Sequence, residues 1–556
     1  MAFQTRREAI AVREWLTLPI EWLQGAILRV FDRLNQERWT GLLTILGAAS
    51  ANFVVLTLLL QDENVRAIAF GILIFLGLFA LRYPEVSVTI FITVSSGLFV
   101  NTLWYAGGGG GTGQRTLLIL FLCIIFAQAL FEHIRTKKEE RVRLWTPLTV
   151  LLVLFWVYHI FHVLYIYLFL YNTPRADDVL HYIGIDTIGL VRYFDGHMIW
   201  IGILPIMILL RRWQRARRVI IILAFIMFVN VFAIILEYFS PLPTFFKVMF
   251  QLRAAGESIE GYRIRDPSGL YFSMTLFYGM LYLLGYIARL RWSLIAVFYA
   301  VAFVMVLLIT KNRILWAGTL AFLPLVLLWK PPTVLLRQLT ILGTTMLIFA
   351  ALMLHPGIYT SASQIAYEAI ERWSRNYAYG GDPRLDPSYQ FREREREAWE
   401  HTYARLSDFQ RVFGAGLEAS YGFYLKSSSV GEYARLPYTI YFEKVGMHFA
   451  WYGRLLRYGW VGTTLLAIVF LAFFARAIYH FLIYPIPVYR AIIAGLVGST
   501  IGVLFFDSLH MNLGDYAATA VVLMWAFVEA IPYWNSEDAS RLDSVADESG
   551  VATELQ

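Results

Sequence analysis

Apolar runs long enough to cross a bilayer recur along nearly the whole chain, and they constrain the fold more than anything else in it. A hydrocarbon core roughly 30 Å thick takes about 20 apolar residues per helix. In lipid each backbone polar group must be satisfied within its own segment, so such runs fold as helices. Fourteen candidates are visible, at 40–60, 67–81, 85–105, 116–131, 146–171, 196–210, 219–238, 269–288, 292–309, 314–329, 333–354, 458–475, 487–506 and 515–533. Several are short, which sets the expected fold as an all-α polytopic membrane protein with about 12–14 transmembrane helices. The composition agrees, with 58% hydrophobic residues and only 16% charged.

Between the eleventh and twelfth runs lies a polar stretch of about a hundred residues. The segments expected are a cytoplasmic amphipathic interfacial helix (1–38), an N-terminal transmembrane bundle (39–355), a large, mainly helical extracytoplasmic loop (356–456), C-terminal transmembrane helices (457–534) and a disordered acidic cytoplasmic tail (535–556). The first segment is dense in Arg, Glu and Asp and has no uncharged apolar core, unlike a secretory signal. Its Ile20, Leu23, Ile27, Val30, Phe31 and Leu34 recur at helical spacing, as in a helix lying on the membrane surface or binding a partner helix. The one cysteine, Cys123, falls in the fourth span, where a small buried apolar side chain is expected and no intrachain disulfide can form.

Basic residues gather in alternate loops. Arg135, Lys137, Lys138, Arg141 and Arg143 form one group, Arg211, Arg212, Arg215, Arg217 and Arg218 another, with Arg289, Arg291, Lys330, Arg337, Arg476 and Arg490 added on the same side. Short basic loops are held in the cytoplasm. The net charge of +7 therefore reports topology, and no nucleic-acid partner is expected. Loops 172–195 and 239–268, the turn Thr310–Arg313, the 356–456 loop and the turn Asp507–Gly514 then all face outward.

The unusual polar residues lie on that outer side. Arg313 ends a span where positive charge is disfavoured, either snorkelling to headgroups or contacting an anion. Arg263 and Arg265, two apart in a segment expected to be extended, would point the same way and suit phosphate oxygens; Glu260 and Asp266 offer a neutralised surface pair instead. Residues 391–403 read as a helix on which Arg392 and Arg396 share a face continued by Trp399 and Tyr403, although alternating Arg and Glu also suits a solvated helix. Gly414 and Gly416 permit close backbone approach.

His448, shortly before a span and next to Trp451 and Tyr452, is the candidate general base, because neutral imidazole accepts a proton near neutral pH. An aromatic belt that happens to hold a histidine is the plainer reading. His510 is a second candidate. His159 and His162, three apart inside the fifth span, read as helix-packing residues. Asp177 and Asp178 form an acidic pair on an outer loop and leave a divalent-metal site open there, but no zinc spacing, Gly-x-Ser-x-Gly elbow or Walker sequence is present.

In order and topology, residues from about 250 to 475 resemble the O-antigen ligase and Wzy-type polymerase superfamily of bacterial envelopes. The resemblance rests on Arg263 and Arg265 before a span, Arg313 at the outer end of another, and then one large loop carrying Arg396, Trp399, Gly414-Ala-Gly416, His448 and Gly459-Trp-Val-Gly462. The sequence departs at Phe449, where the family has Asn, and at Asn312-Arg313-Ile314, where Ser-Arg-Gly is customary. The resemblance implies a membrane glycosyltransferase of the bacterial cytoplasmic membrane, active on its extracytoplasmic face. It would transfer a polyprenyl-diphosphate-linked glycan to a hydroxyl of another glycan, lipid A core or other surface acceptor, with inversion and with no metal, nucleotide or cofactor. His448, Arg313 and Arg265 would be catalytic; Arg263, Arg392, Arg396, Trp399, Gly414, Gly416, Trp451 and Tyr452 would bind substrate among the membrane lipids.

The competing class is a transporter or flippase without chemistry. Such proteins tend to carry internal repeats and mid-membrane charges. No repeat is visible, and His159 and His162 are almost the only ionisable residues expected inside a span. The orientation is directly testable. A Ser428→Cys variant should react with a membrane-impermeant thiol reagent in intact spheroplasts, and labelling only after lysis would invert the topology.

Overall fold

A computed structural model describes residues 77, 79–98, 112–137, 140–165, 196–239, 254–258, 261–264, 269–287, 290–310, 319, 322, 330–352, 354–356, 359–360, 363, 367, 387–416, 421–426, 439–444, 450–506 and 516–534. The chain divides into two compact units, Met1–Ser87 and Val88–Gln556. The 1–38 segment, the 40–60 run, most of 67–81 and 314–329, and the tail from 535 lie outside the described residues.

The described elements are helices apart from two hairpins. In chain order they are α1 (Pro84–Ser95), α2 (Thr112–Arg135), α3 (Pro147–Tyr165), α4 (Gly196–Ile199), a 3-10 turn (Trp200–Gly202), α5 (Ile203–Leu209) and α6 (Trp213–Phe239). Strands β1 (Ala254–Ser258) and β2 (Gly261–Ile264) follow, then α7 (Leu270–Leu283), α8 (Leu290–Thr310), α9 (Pro332–Leu352), α10 (Pro387–Ala404) and α11 (Asp408–Phe413). Strands β3 (Tyr421–Lys426) and β4 (Thr439–Lys444) precede α12 (Ala450–Ile483), α13 (Pro487–Phe506) and α14 (Tyr516–Ala530). Each hairpin is antiparallel, with Ala255 opposite Arg263 in the first and Tyr424 opposite Tyr441 in the second. The stretch 356–456 thus holds a hairpin as well as helices.

Six described helices are long and apolar enough to cross a membrane, within α2, α3, α6, α8, α12 and α13; α1, the α4–α5 piece, α7, α9 and α14 are apolar but shorter. The chain is a multi-pass helical membrane protein. Its outward faces are apolar, as at Leu130, Phe131 and Ile134 on α2 and Leu154, Val157 and Phe161 on α3. Cys123 lies on such a face and is exposed, so the expectation of a side chain buried in protein is corrected. A helix apolar all round gives no periodic signal of which side meets lipid and which meets protein.

Lipid offers no hydrophobic drive for helix association, so spans join where backbones can approach. Helices α7 and α13 do this through glycine. A Cβ on Gly495 would lie 2.4 Å from the Thr275 carbonyl oxygen, and one on Gly498 would lie 2.2 Å from the Tyr278 ring. Elsewhere aromatic rings fill the space: Trp525 of α14 stacks on Phe473 of α12 at 4.3 Å and meets Phe470 edge-on at 5.3 Å.

Charge also enters the spans, against expectation. Glu529 of α14 is fully buried and accepts two bonds from Arg476 of α12, from Nε at 2.9 Å and Nη2 at 3.1 Å. Glu237 of α6 is buried as well. Lys330 stays in the turn before α9, where the sequence places it, but is buried there: it donates to the Leu281 carbonyl at 3.2 Å and faces the Tyr282 ring, and burial pushes its pKa down to about 7. A single Glu in an apolar run leaves no periodic mark, which is why Glu237 and Glu529 were missed.

The basic loops gather at one end of the bundle. Arg211 donates to the Glu140 carbonyl at 2.6 Å, Arg215 pairs with Glu132, the Arg143 amide donates to the Tyr533 hydroxyl, and the Trp534 indole donates to the Leu210 carbonyl. Helices α3 and α12 run from that end to the polar stretch at the other. Removing one partner of a buried ion pair strands the other and costs about 3–5 kcal/mol, whereas an apolar pair of similar size is tolerated. Arg476→Ala should therefore lower the thermal midpoint in detergent well below that of Arg476→Met with Glu529→Leu. Equal midpoints would show the pair to be unimportant.

Candidate functional site

The candidate site is built where the polar stretch meets α12. Helix α11 opens with a capping box: Ser407 Oγ accepts from the Gln410 amide at 3.3 Å, and the Gln410 side chain accepts from the Ser407 amide at 3.1 Å. It closes at Gly414, whose φ of 93° is open to glycine at little cost. Helix α12 is broken at Gly459, with φ 63° and ψ −170°, into a short piece before it and a long span after it.

A break of this kind strands the carbonyls of the turn before it. Those carbonyls find their donors in the other glycine motif. The Ala415 amide donates to Leu456 O at 2.8 Å and the Gly416 amide to Arg457 O at 3.2 Å. There is no room for side chains at this crossing: a Cβ on Gly414 would lie 1.9 Å from Arg457 O, and one on Gly459 2.4 Å from both Gly414 N and Val412 O. Three residues on, a Cβ on Gly462 would lie 2.2 Å from the Tyr158 ring. Tyr158 of α3 occupies that space, and its hydroxyl stands 2.9 Å from Phe413 O and 2.7 Å from Tyr458 O, fastening both sides of the crossing to the span.

Beneath the crossing is a buried polar cluster. The Tyr458 hydroxyl lies 3.1 Å from His159 Nδ1 and 3.2 Å from His197 Nδ1. His162 stacks obliquely on Tyr158 at 4.8 Å and meets Tyr458 edge-on at 5.7 Å. Arg454 and Arg457, on the short piece of α12, are buried too. The Arg454 guanidinium lies 4.5 Å from the centre of the Trp451 ring.

Helix α10 docks on the same short piece. Trp399 is buried, its indole N–H donates to Tyr452 O at 2.9 Å, and its ring stacks on Tyr403 at 4.7 Å and tilts against Tyr452 at 4.6 Å. Arg396 is partly exposed and pairs with Glu393 and Glu400 of its own helix; Glu393 holds its guanidinium above the ordinary value.

Of the sequence candidates, the structure thus brings together Trp399, Gly414, Gly416, Trp451 and Tyr452, with Arg396 on the helix that carries Trp399. Arg263 lies on β2, so its expected extended backbone is present. Arg392 falls within α10, as read from sequence, and nothing further is described of it. Arg265, Arg313, His448, His510, Asp177 and Asp178 lie outside the described residues. Sequence reasoning missed Tyr158, Tyr458, His197, Arg454 and Arg457. The available signal was two arginines three apart just before a glycine-opened span. His159 and His162 do pack between helices, as read, but against other polar groups rather than apolar ones.

No protein-family model matches the chain, and no curated protein or solved structure is detectably similar to it. The crossing predicts its own sensitivity. Gly414→Ala must move a backbone carbonyl and adopt a positive φ, a cost of about 2 kcal/mol or more. Gly343→Ala, in open space on α9, should be neutral or mildly stabilising. Thermal unfolding of the two variants side by side checks this, and equal midpoints would refute the close approach.

Proposed function

We propose that this protein is a metal-independent, inverting membrane glycosyltransferase of the O-antigen ligase or polymerase type. In this reading about 12–14 helices span the bacterial cytoplasmic membrane, and the large loop stands on the extracytoplasmic side. The observation that carries the reading is the assembly of the motifs. Trp399, Gly414-Ala-Gly416 and Gly459-Trp-Val-Gly462 are quoted for the resemblance from their order alone, and they meet on one short helix that begins two residues after His448. A passive connecting loop has no need to dock backbone to backbone on the opening of the next span.

The donor is a glycan on polyprenyl diphosphate, its lipid tail lying among the spans. Arg313 and Arg265, with Arg263 and the α10 arginines Arg392 and Arg396, bind the diphosphate and stabilise the charge that grows on it as the sugar leaves. An acceptor hydroxyl attacks the anomeric carbon from the opposite face. Its proton passes to a ring nitrogen of His448, the new C–O bond forms, and the old one breaks with its electron pair kept by the diphosphate oxygen. That single displacement inverts the centre. Trp399, Tyr452, Trp451 and the glycine turn shape the acceptor side.

A transporter is the second reading, favoured by the Arg476–Glu529 pair and the histidine cluster inside the bundle, which remove the lack of mid-span charge as a reason against it. Detergent-solubilised protein separates the two readings, because no compartments remain. An enzyme still joins a lipid-linked glycan covalently to an added acceptor, and a transporter yields no product.

In that assay His448→Ala should lower turnover by roughly 10²–10⁴-fold, while donor binding survives. Only the neutral imidazole accepts a proton, so wild-type activity should rise with pH through the ordinary histidine range near about 6.5. Arg313→Ala and Arg265→Ala should abolish transfer, with Lys a poor replacement because it lacks the two-pronged contact. A well-folded His448→Ala protein with wild-type turnover would remove this base.

A further inference from the structure

We propose that His159, Tyr458 and His197 form a proton-binding relay inside the bundle, which takes up one proton at His197 and passes it to His159 through the Tyr458 hydroxyl. The three groups come from three different elements, α3, α12 and α4. They are joined at 3.1 and 3.2 Å, both through Nδ1 of the imidazoles. A phenol has one hydrogen, so Tyr458 can donate to one imidazole while accepting from the other, which gives the chain a direction that a proton shift reverses.

Its surroundings are dry. His159, His197 and Tyr458 are all buried, with Phe155 against both His197 at 5.5 Å and Tyr458 at 5.8 Å, and Trp200 against His197 at 4.7 Å. At one end His197 Nε2 is buried and has no hydrogen-bond partner among the described residues. A packing role explains neither feature. An aromatic hydrocarbon fills the same volume without leaving a polar atom unsatisfied in a low-dielectric span, and ionisable groups kept in such places mark proton or ligand paths.

The transfer balances. A proton arriving on His197 Nε2 makes that ring an imidazolium whose Nδ1–H points at Tyr458 Oη. The Nδ1–H bond breaks as a new O–H bond forms. At the same time the original Tyr458 O–H bond breaks and an N–H bond forms on His159 Nδ1. The charge has moved from α4 to α3, and the phenol is neutral before and after.

The facing groups set the stoichiometry. Tyr158 and His162 approach from α3 and Arg454 and Arg457 from α12; on α14, which also packs against α4, Glu529 is turned to Arg476. The His159 and His197 rings lie 5.4 Å apart between centres, so a proton on one opposes a proton on the other. The relay therefore holds one.

This inference stands apart from the transfer reading, and its test uses no activity. Full-length protein carrying ¹⁵N-labelled imidazoles is placed in lipid nanodiscs and titrated by NMR, with the 10 histidines assigned by single His→Gln variants. The expected result is one proton shared by His159 and His197, with each site's titration displaced by the other by about one pH unit or more. Tyr458→Phe keeps the ring and its packing but removes the bridge, so the shared step should split into two independent ones. His159→Gln should shift the His197 step, and His133 and His355 should be unmoved in both variants. Independent single-step titrations in the wild type that Tyr458→Phe leaves in place would overturn the relay, as would histidines that take up no proton at all.

Discussion

Backbone meets backbone where Gly414 and Gly459 cross, and the placing of the polar stretch depends on it. Breaking α12 at Gly459 frees the carbonyls of Leu456 and Arg457, and in lipid-facing surroundings a free carbonyl is costly. The amides of Ala415 and Gly416 remove that cost. The loop is therefore held by groups that would otherwise be unsatisfied rather than by its own packing. Neither motif is stable in this form alone: the break needs donors, and the left-handed turn after α11 needs a surface with no Cβ on it.

How much of this was legible in the sequence varies with the kind of signal. Span-length apolar runs mark helices whatever they pack against, and α3, α6, α8 and α13 fall close to where hydropathy puts them. The two glycine pairs stood out because glycine serves few purposes, and close approach is one of them. Their meeting was not legible, since 45 residues separate Gly414 from Gly459 and nothing local encodes the partner. Buried polar residues were the hardest to read. Glu529 lies singly in an apolar run, and for it as for His197 and Tyr458 only distant partners distinguish a functional group from an accident of composition. Cys123 shows the converse: inside an all-apolar helix, which residues face lipid is decided by neighbours in space.

The two ends of the bundle use charge differently. At the end that gathers the basic loops, Arg211, Arg215 and Arg476 are matched to Glu140, Glu132 and Glu529 at 3.3, 3.7 and 2.9 Å. Those pairs tie loops and spans together. At the other end Arg396 is matched within its own helix, whereas Arg454 and Arg457 are buried near imidazoles and tyrosines. Charges held in low dielectric act over a longer reach than the same charges would in water.

Tyr458 belongs to both devices, and this ties them together. Its carbonyl lies 2.7 Å from the Tyr158 hydroxyl that fastens the crossing, and its own hydroxyl joins the two histidines. The residue next to it is Gly459, so the bridge and the break are adjacent in the chain. If a change in the crossing alters the geometry of that hydroxyl, the two devices are coupled. Linkage requires the converse in equal measure: whatever free energy proton uptake gives to one position of the loop, occupation of that position returns to proton affinity. Two glycine motifs and three buried ring side chains that look unrelated in the sequence meet at one tyrosine.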